Sequence, residues 1–171
     1  MLFLSFVKYF HLGLLLLGFN VSWKGFALCF LVFLFFVVMS CLDFVVHRVL
    51  YDYGLQFSYG WVVLYWWVFG GVFLVFSVII GFVYWLGSGK SQREFRIGFG
   101  LFLSLCLFFF GGLVDVLWFV FWDGGLPGND VVWWWMPWAS VFGFWNSTAQ
   151  FSLLTVVFVV IMLFWIWILR S

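Results

Sequence analysis

Asp43 and His47 stand four residues apart in LDFVVHRVLYDYGL, and Arg48 and Asp52 follow at once, although the sixteen residues before Leu42 carry no charge. On a helix, residues four apart share a face, so a carboxylate and an imidazole are presented together. Asp115 is the one ionisable residue in a second apolar stretch, GGLVDVLWF. These types support two chemistries. Arg48 or a protonated His47 neutralises Asp43 or Asp115, and the pair fixes helix register. Alternatively, Asp43, His47 and Asp115 give two carboxylates and an imidazole to a divalent metal, or to a proton relay. A charge inside a membrane span costs about 2.5–3.5 kcal/mol on insertion scales, so both readings turn these side chains toward the bundle interior.

Other chemistry has little to stand on. The sequence shows no nucleophile–base pair, no phosphate loop and no pair of broken helices, and whether the chain is an enzyme stays open. His11 and His47 are expected on opposite sides of the membrane, which argues against bis-His haem ligation in one subunit. Cys29, Cys41 and Cys106 all lie in apolar runs and form no CxxC pattern, so they read as small packing residues. No cofactor is expected apart from the divalent metal of the second chemistry. A net charge of +1 with no basic patch gives no argument for nucleic acid.

The elements that must position these groups are membrane spans. The chain is 68% hydrophobic and 8% charged over 171 residues, more apolar surface than a soluble domain of that size can hide. Four apolar segments, residues 26–47, 61–86, 97–122 and 149–169, are each long enough to cross ~30 Å of hydrocarbon as a helix. They lack the alternation of barrel strands. The expectation is an all-α integral membrane four-helix bundle, one transmembrane domain over residues 1–171. The N-terminal stretch, interrupted by Lys8 and His11, adds an interfacial helix or a fifth span. A cleaved signal peptide is not expected, since neither a basic leader nor a small-residue site is present.

Charge sets the orientation. Lys8 and Lys24 precede the first span, Lys90, Arg93 and Arg96 fall between the second and third, and Arg170 ends the last, with Arg48 alone on the other side. Lysine and arginine are retained in the cytoplasm, so both termini of this multi-pass cell-membrane protein are expected there. The outer loop, residues 123–148, carries Trp133, Trp134, Trp135, Trp138 and Trp145 and is expected to lie along the membrane surface at headgroup level. Ser147 and Gln150 fit a capping box for the last span, and NST at Asn146 reads as part of that cap rather than as a glycosylation acceptor.

Depth places the groups relative to one another. Asp115 lies seven residues before Trp122, ~10 Å below the outer end, and Asp43 lies similarly deep if its helix continues to Leu50. Gly70-Gly71 and Gly111-Gly112 fall at ~14 and ~16 Å, and small residues let membrane helices approach, so contact between the two pairs is expected.

Two resemblances add to this. VLYDYGLQFSYGWVVLYWW, with GGLVDVLWFVFWDGGLP and WWWMPW further on, resembles a set of uncharacterised archaeal multi-pass membrane proteins. These carry a similar Leu-Tyr-x-Tyr-Gly-Leu-x-Phe-Ser stretch after the first span and an acidic residue with a Trp/Pro-rich loop later. The likeness covers most of the chain beyond residue 40 and implies archaeal origin and no known activity. Asp43-x-x-x-His47 on a span is also similar to part of the copper-ligand motif in one subunit of the particulate methane and ammonia monooxygenases. There a second His follows thirteen residues on; here that position is Gly60, and Asp115 lies on another helix.

The leading functional expectation is a non-catalytic subunit or scaffold, with the lipid bilayer, a second copy or a larger membrane complex as its partner. The alternative is a small metal or redox membrane protein using Asp43, His47 and Asp115. An ion conduit ranks last, because the inner halves of the spans hold almost no polar residues.

Overall fold

A computed structural model describes residues 23–54 and 59–170, and the N-terminal stretch with its interfacial or spanning alternatives lies outside them. The described residues are all-helical. In order they form α1 (Trp23–Asp52), α2 (Tyr59–Gly87), α3 (Gln92–Phe110), α4 (Leu113–Phe121), α5 (Pro137–Phe142) and α6 (Ser147–Arg170). In hydrocarbon every backbone polar group needs an internal partner, which leaves the helix as the stable state for such long apolar runs. The two prolines, Pro127 and Pro137, both fall in the loop between α4 and α6, and Pro137 starts α5, where its missing N–H costs nothing.

Three described helices, α1, α2 and α6, are long and apolar enough to cross a membrane, and α3 with α4, bent by 61° at their break, brings the number to four if the pair counts as one span. Residues 97–122, expected from the sequence as one span, are two helices separated by a break. Gly112 takes a left-handed conformation (φ 73°), which ends α3 and starts α4 at a new angle. A helix break is tolerated at membrane depth only where the freed groups find partners. Here the buried amide of Gln150, on α6, donates to the Gly111 carbonyl at 2.5 Å.

The ends of the other elements follow local rules. Ser91 caps α3 and accepts from the Glu94 N–H at 3.2 Å, so the charged stretch 92–96 is helix rather than loop. Asn146, not Ser147, caps α6: its Oδ1 accepts from the Ala149 N–H at 3.0 Å. The expected capping box is absent for a physical reason. Ser147 donates to the Pro127 carbonyl at 2.7 Å, and Gln150 is turned into the protein, where its amide serves the helix break.

Packing is uneven. α2 lies along α3, α1 meets α4, and α6 runs along α3. One core joins Phe36 and Met39 of α1 to Phe69 and Phe73 of α2, Leu105 and Phe109 of α3, and Leu117 of α4. The closest approach is between α2 and α3 at Gly81 and Gly98. A Cβ added to either would stand 2.5 Å from the other's carbonyl oxygen. The expected meeting of Gly70-Gly71 with Gly111-Gly112 is not what brings these helices together. Gly70 faces the Phe109 ring, and Gly71 has nothing within 4 Å. Gly111 and Gly112 instead pack against Val157 and Gln150 of α6, because the break turns them away from α2.

Candidate functional site

α1 continues to Asp52, so Asp43 and His47 sit within its body on one face. Asp43 is buried, and its Oδ1 accepts from the Tyr65 hydroxyl of α2. His47 Nδ1 lies 2.9 Å from both the carbonyl oxygen and Oδ1 of Asp43. An Nδ1 proton shared between those two oxygens fixes the ring against its own helix. Tyr65 then stands edge-on to the imidazole, with centroids 5.4 Å apart. One carboxylate thus ties α1 to α2 and orients the histidine.

Asp115 arrives from the other side. It occupies the first turn of α4, where unpaired N–H groups and the helix dipole favour a negative charge. The indole N–H of Trp135 donates to its Oδ1 at 3.3 Å, and the Trp135 carbonyl accepts from Trp66 Nε1 of α2 at 3.1 Å. Asp43, His47 and Asp115 all line a single cavity of about 260 Å³, together with Tyr65, Trp118 and Trp135. Arg48 is not among the residues lining it; its Nε lies 4.0 Å from Asp52 on the exposed side of α1.

The tryptophan-rich loop, expected along the membrane surface, forms one wall of this cavity. Trp133 is fully buried and Trp145 nearly so, packed with Met136 and Phe119 in a second core. Amphipathic rings prefer an interface only when nothing better is offered. Here a backbone bond from the Trp133 N–H to the Trp145 carbonyl (2.8 Å) closes the loop and turns both rings inward. Asn129 pins the same loop to the start of α6, its Oδ1 accepting from the Thr148 hydroxyl at 2.7 Å. Trp134 stays 60% exposed.

Sequence reasoning missed three contributors. Tyr65 carries no signal beyond being a tyrosine in a span. Trp135 was one of five tryptophans with no reason to be singled out. Gln150 was legible as a polar residue in an apolar segment but was assigned to a cap. As for metal, no group of three or more His, Cys, Asp or Glu among the described residues is arranged to hold an ion.

No protein-family model, no curated protein and no solved structure matches this chain.

Proposed function

We propose that this small multi-pass membrane protein is a non-catalytic subunit or scaffold of a membrane complex. One observation carries the reading: the buried and half-buried polar side chains within the bundle join elements of the same chain. Asp43 meets Tyr65, Asp115 meets Trp135, and Gln150 holds the Gly111 carbonyl. Such contacts set helix register, where an enzyme would direct a base toward a nucleophile. The spans supply the rest of the argument. Only 17% of the most apolar window of α1, of α2 and of α6 is buried within the chain, which leaves broad apolar faces for lipid and for partner helices.

Native mass spectrometry of the protein gently extracted from its own membrane tests this. A reproducible assembly heavier than one 20.2 kDa chain is expected. A lone chain under every mild condition overturns the reading. Stoichiometric divalent metal in the same preparation, lost in both His47→Ala and Asp115→Asn, would replace it with the metal or redox alternative.

The charge distribution further supports a cytoplasmic α2–α3 turn and cytoplasmic termini. Single cysteines at positions 91 and 128, in a chain lacking Cys29, Cys41 and Cys106, should label oppositely. A membrane-impermeant maleimide added to intact cells should reach position 128 and not 91. The reverse pattern inverts the topology.

A further inference from the structure

The cavity under the tryptophan loop combines two features that register alone does not need. Among the described residues its lining holds two carboxyl groups, Asp43 and Asp115, and one imidazole, with no lysine or arginine. Even with His47 protonated, one acidic group is left without a cationic partner in the lining, and a carboxylate in a water-poor site needs a proton or a cation to offset it. The remaining walls are largely aromatic: Tyr65, Trp66, Trp118 and Trp135 among them. Ring faces carry negative quadrupole density and attract cations, most strongly where water is excluded.

We infer that this cavity binds a small organic cation, a tertiary or quaternary ammonium. The carboxyl excess sets the sign of the ligand. The aromatic walls favour a diffuse, alkylated cation over a metal ion, since rings provide no ligand atoms for a divalent ion. The volume of about 260 Å³ falls just below the usual range for ligand pockets, which suits a compact headgroup-sized molecule rather than an acyl chain. A neutral apolar guest would leave the second carboxyl group with a proton as its only offsetting charge. The inference is independent of the subunit reading, because a scaffold and a solitary protein are equally able to hold such a ligand.

Choline and its neutral isostere 3,3-dimethylbutan-1-ol separate charge from shape. The full chain is held in phosphatidylglycerol nanodiscs, whose lipid carries no ammonium, and titrated with each compound by calorimetry. Saturable choline binding is expected, with the isostere weaker by about tenfold or more. Asp115→Asn keeps an oxygen for the Trp135 N–H and should fold, yet lose about tenfold in choline affinity. Equal binding of the two compounds, or no saturable choline binding below about 10 mM, overturns the proposal and leaves a proton as the offsetting charge. Unchanged choline affinity in a folded Asp115→Asn does the same. If that variant fails to fold, the isostere comparison on the native chain decides alone. Repeating the titration in phosphatidylcholine discs identifies the source. Loss of choline binding there means the site takes a lipid headgroup, and retention means a free solute; both support an ammonium site.

Discussion

The α2–α3 crossing at Gly81 and Gly98 and the α1–α2–α4 junction under the tryptophan loop are built on opposite principles. At the crossing two backbones come so close that no side chain fits between them, and cohesion comes from dispersion. At the junction a cavity remains between the packed helices, and polar contacts from Tyr65, Trp66 and Trp135 line it. Lipid tails compete poorly with close backbone contact and not at all with a hydrogen bond. Each device therefore holds a membrane bundle together, but only the second leaves room for a ligand. The contrast teaches that the ionisable residues Asp43, His47 and Asp115 gather where packing leaves a cavity.

Replacing Gly98 with leucine should break the first region outright. Even its Cβ would meet the Gly81 carbonyl oxygen at 2.5 Å, and backbone cannot yield as a side chain tip does. Overpacking of this kind costs about 3 kcal/mol. A thermal melt in detergent should show the loss, with helix content retained below the transition. A melt matching that of the unmodified protein would mean that α2 and α3 are not in contact there.

Gln150→Leu should produce the next largest effect, at the helix break beside the second region. Gln150 accepts from the Trp145 N–H at 2.8 Å and donates to the Gly111 carbonyl. Leucine leaves a buried donor and a buried acceptor without partners, a loss of about 2 kcal/mol. The same melt reads it, and hydrogen exchange at residues 111–116 should rise because the break loses its support. An unchanged melt with unchanged exchange would show that the Gly112 turn holds without the amide.

Much of the architecture was legible in the sequence, and the reasons differ by element. Span existence followed from apolar runs that no soluble domain hides, and α1, α2 and α6 emerged close to their expected bounds. The break in the third span did not, because a Gly-Gly pair reads equally as a packing notch and as a hinge; the choice rests on Gln150, nearly forty residues away. Asp43, His47 and Asp115 were legible because charge in a span is costly, and all three line one cavity. Arg48 looked the same by that criterion, yet α1 extends far enough for it to reach Asp52 outside. Tyr65 and Trp135 were hidden by abundance: in a chain with 28% aromatic residues, none stands out until its neighbours are known.

The smallest effect expected sharpens the contrast most, because it comes from a glycine with the same neighbours in sequence as a packed one. Gly70 and Gly71 are adjacent, but Gly70 lies 3.4 Å from the Phe109 ring by its virtual Cβ, whereas Gly71 meets nothing within 4 Å. Gly71 shares its helix face with Val68, Val75 and Val78, all exposed. Gly71→Ala adds a methyl to that open face and removes a residue that weakens helices, a gain of up to about 1 kcal/mol in water and less where lipid already enforces the helix. The isolated chain should therefore melt within about 0.5 kcal/mol of the original, with any shift upward. If a second copy or another subunit covers this face in the membrane, Gly71→Leu should leave the melt of the isolated chain intact and still reduce the assembly seen by native mass spectrometry. Equal loss of fold and assembly would place Gly71 inside the bundle after all and erase the distinction between it and Gly70.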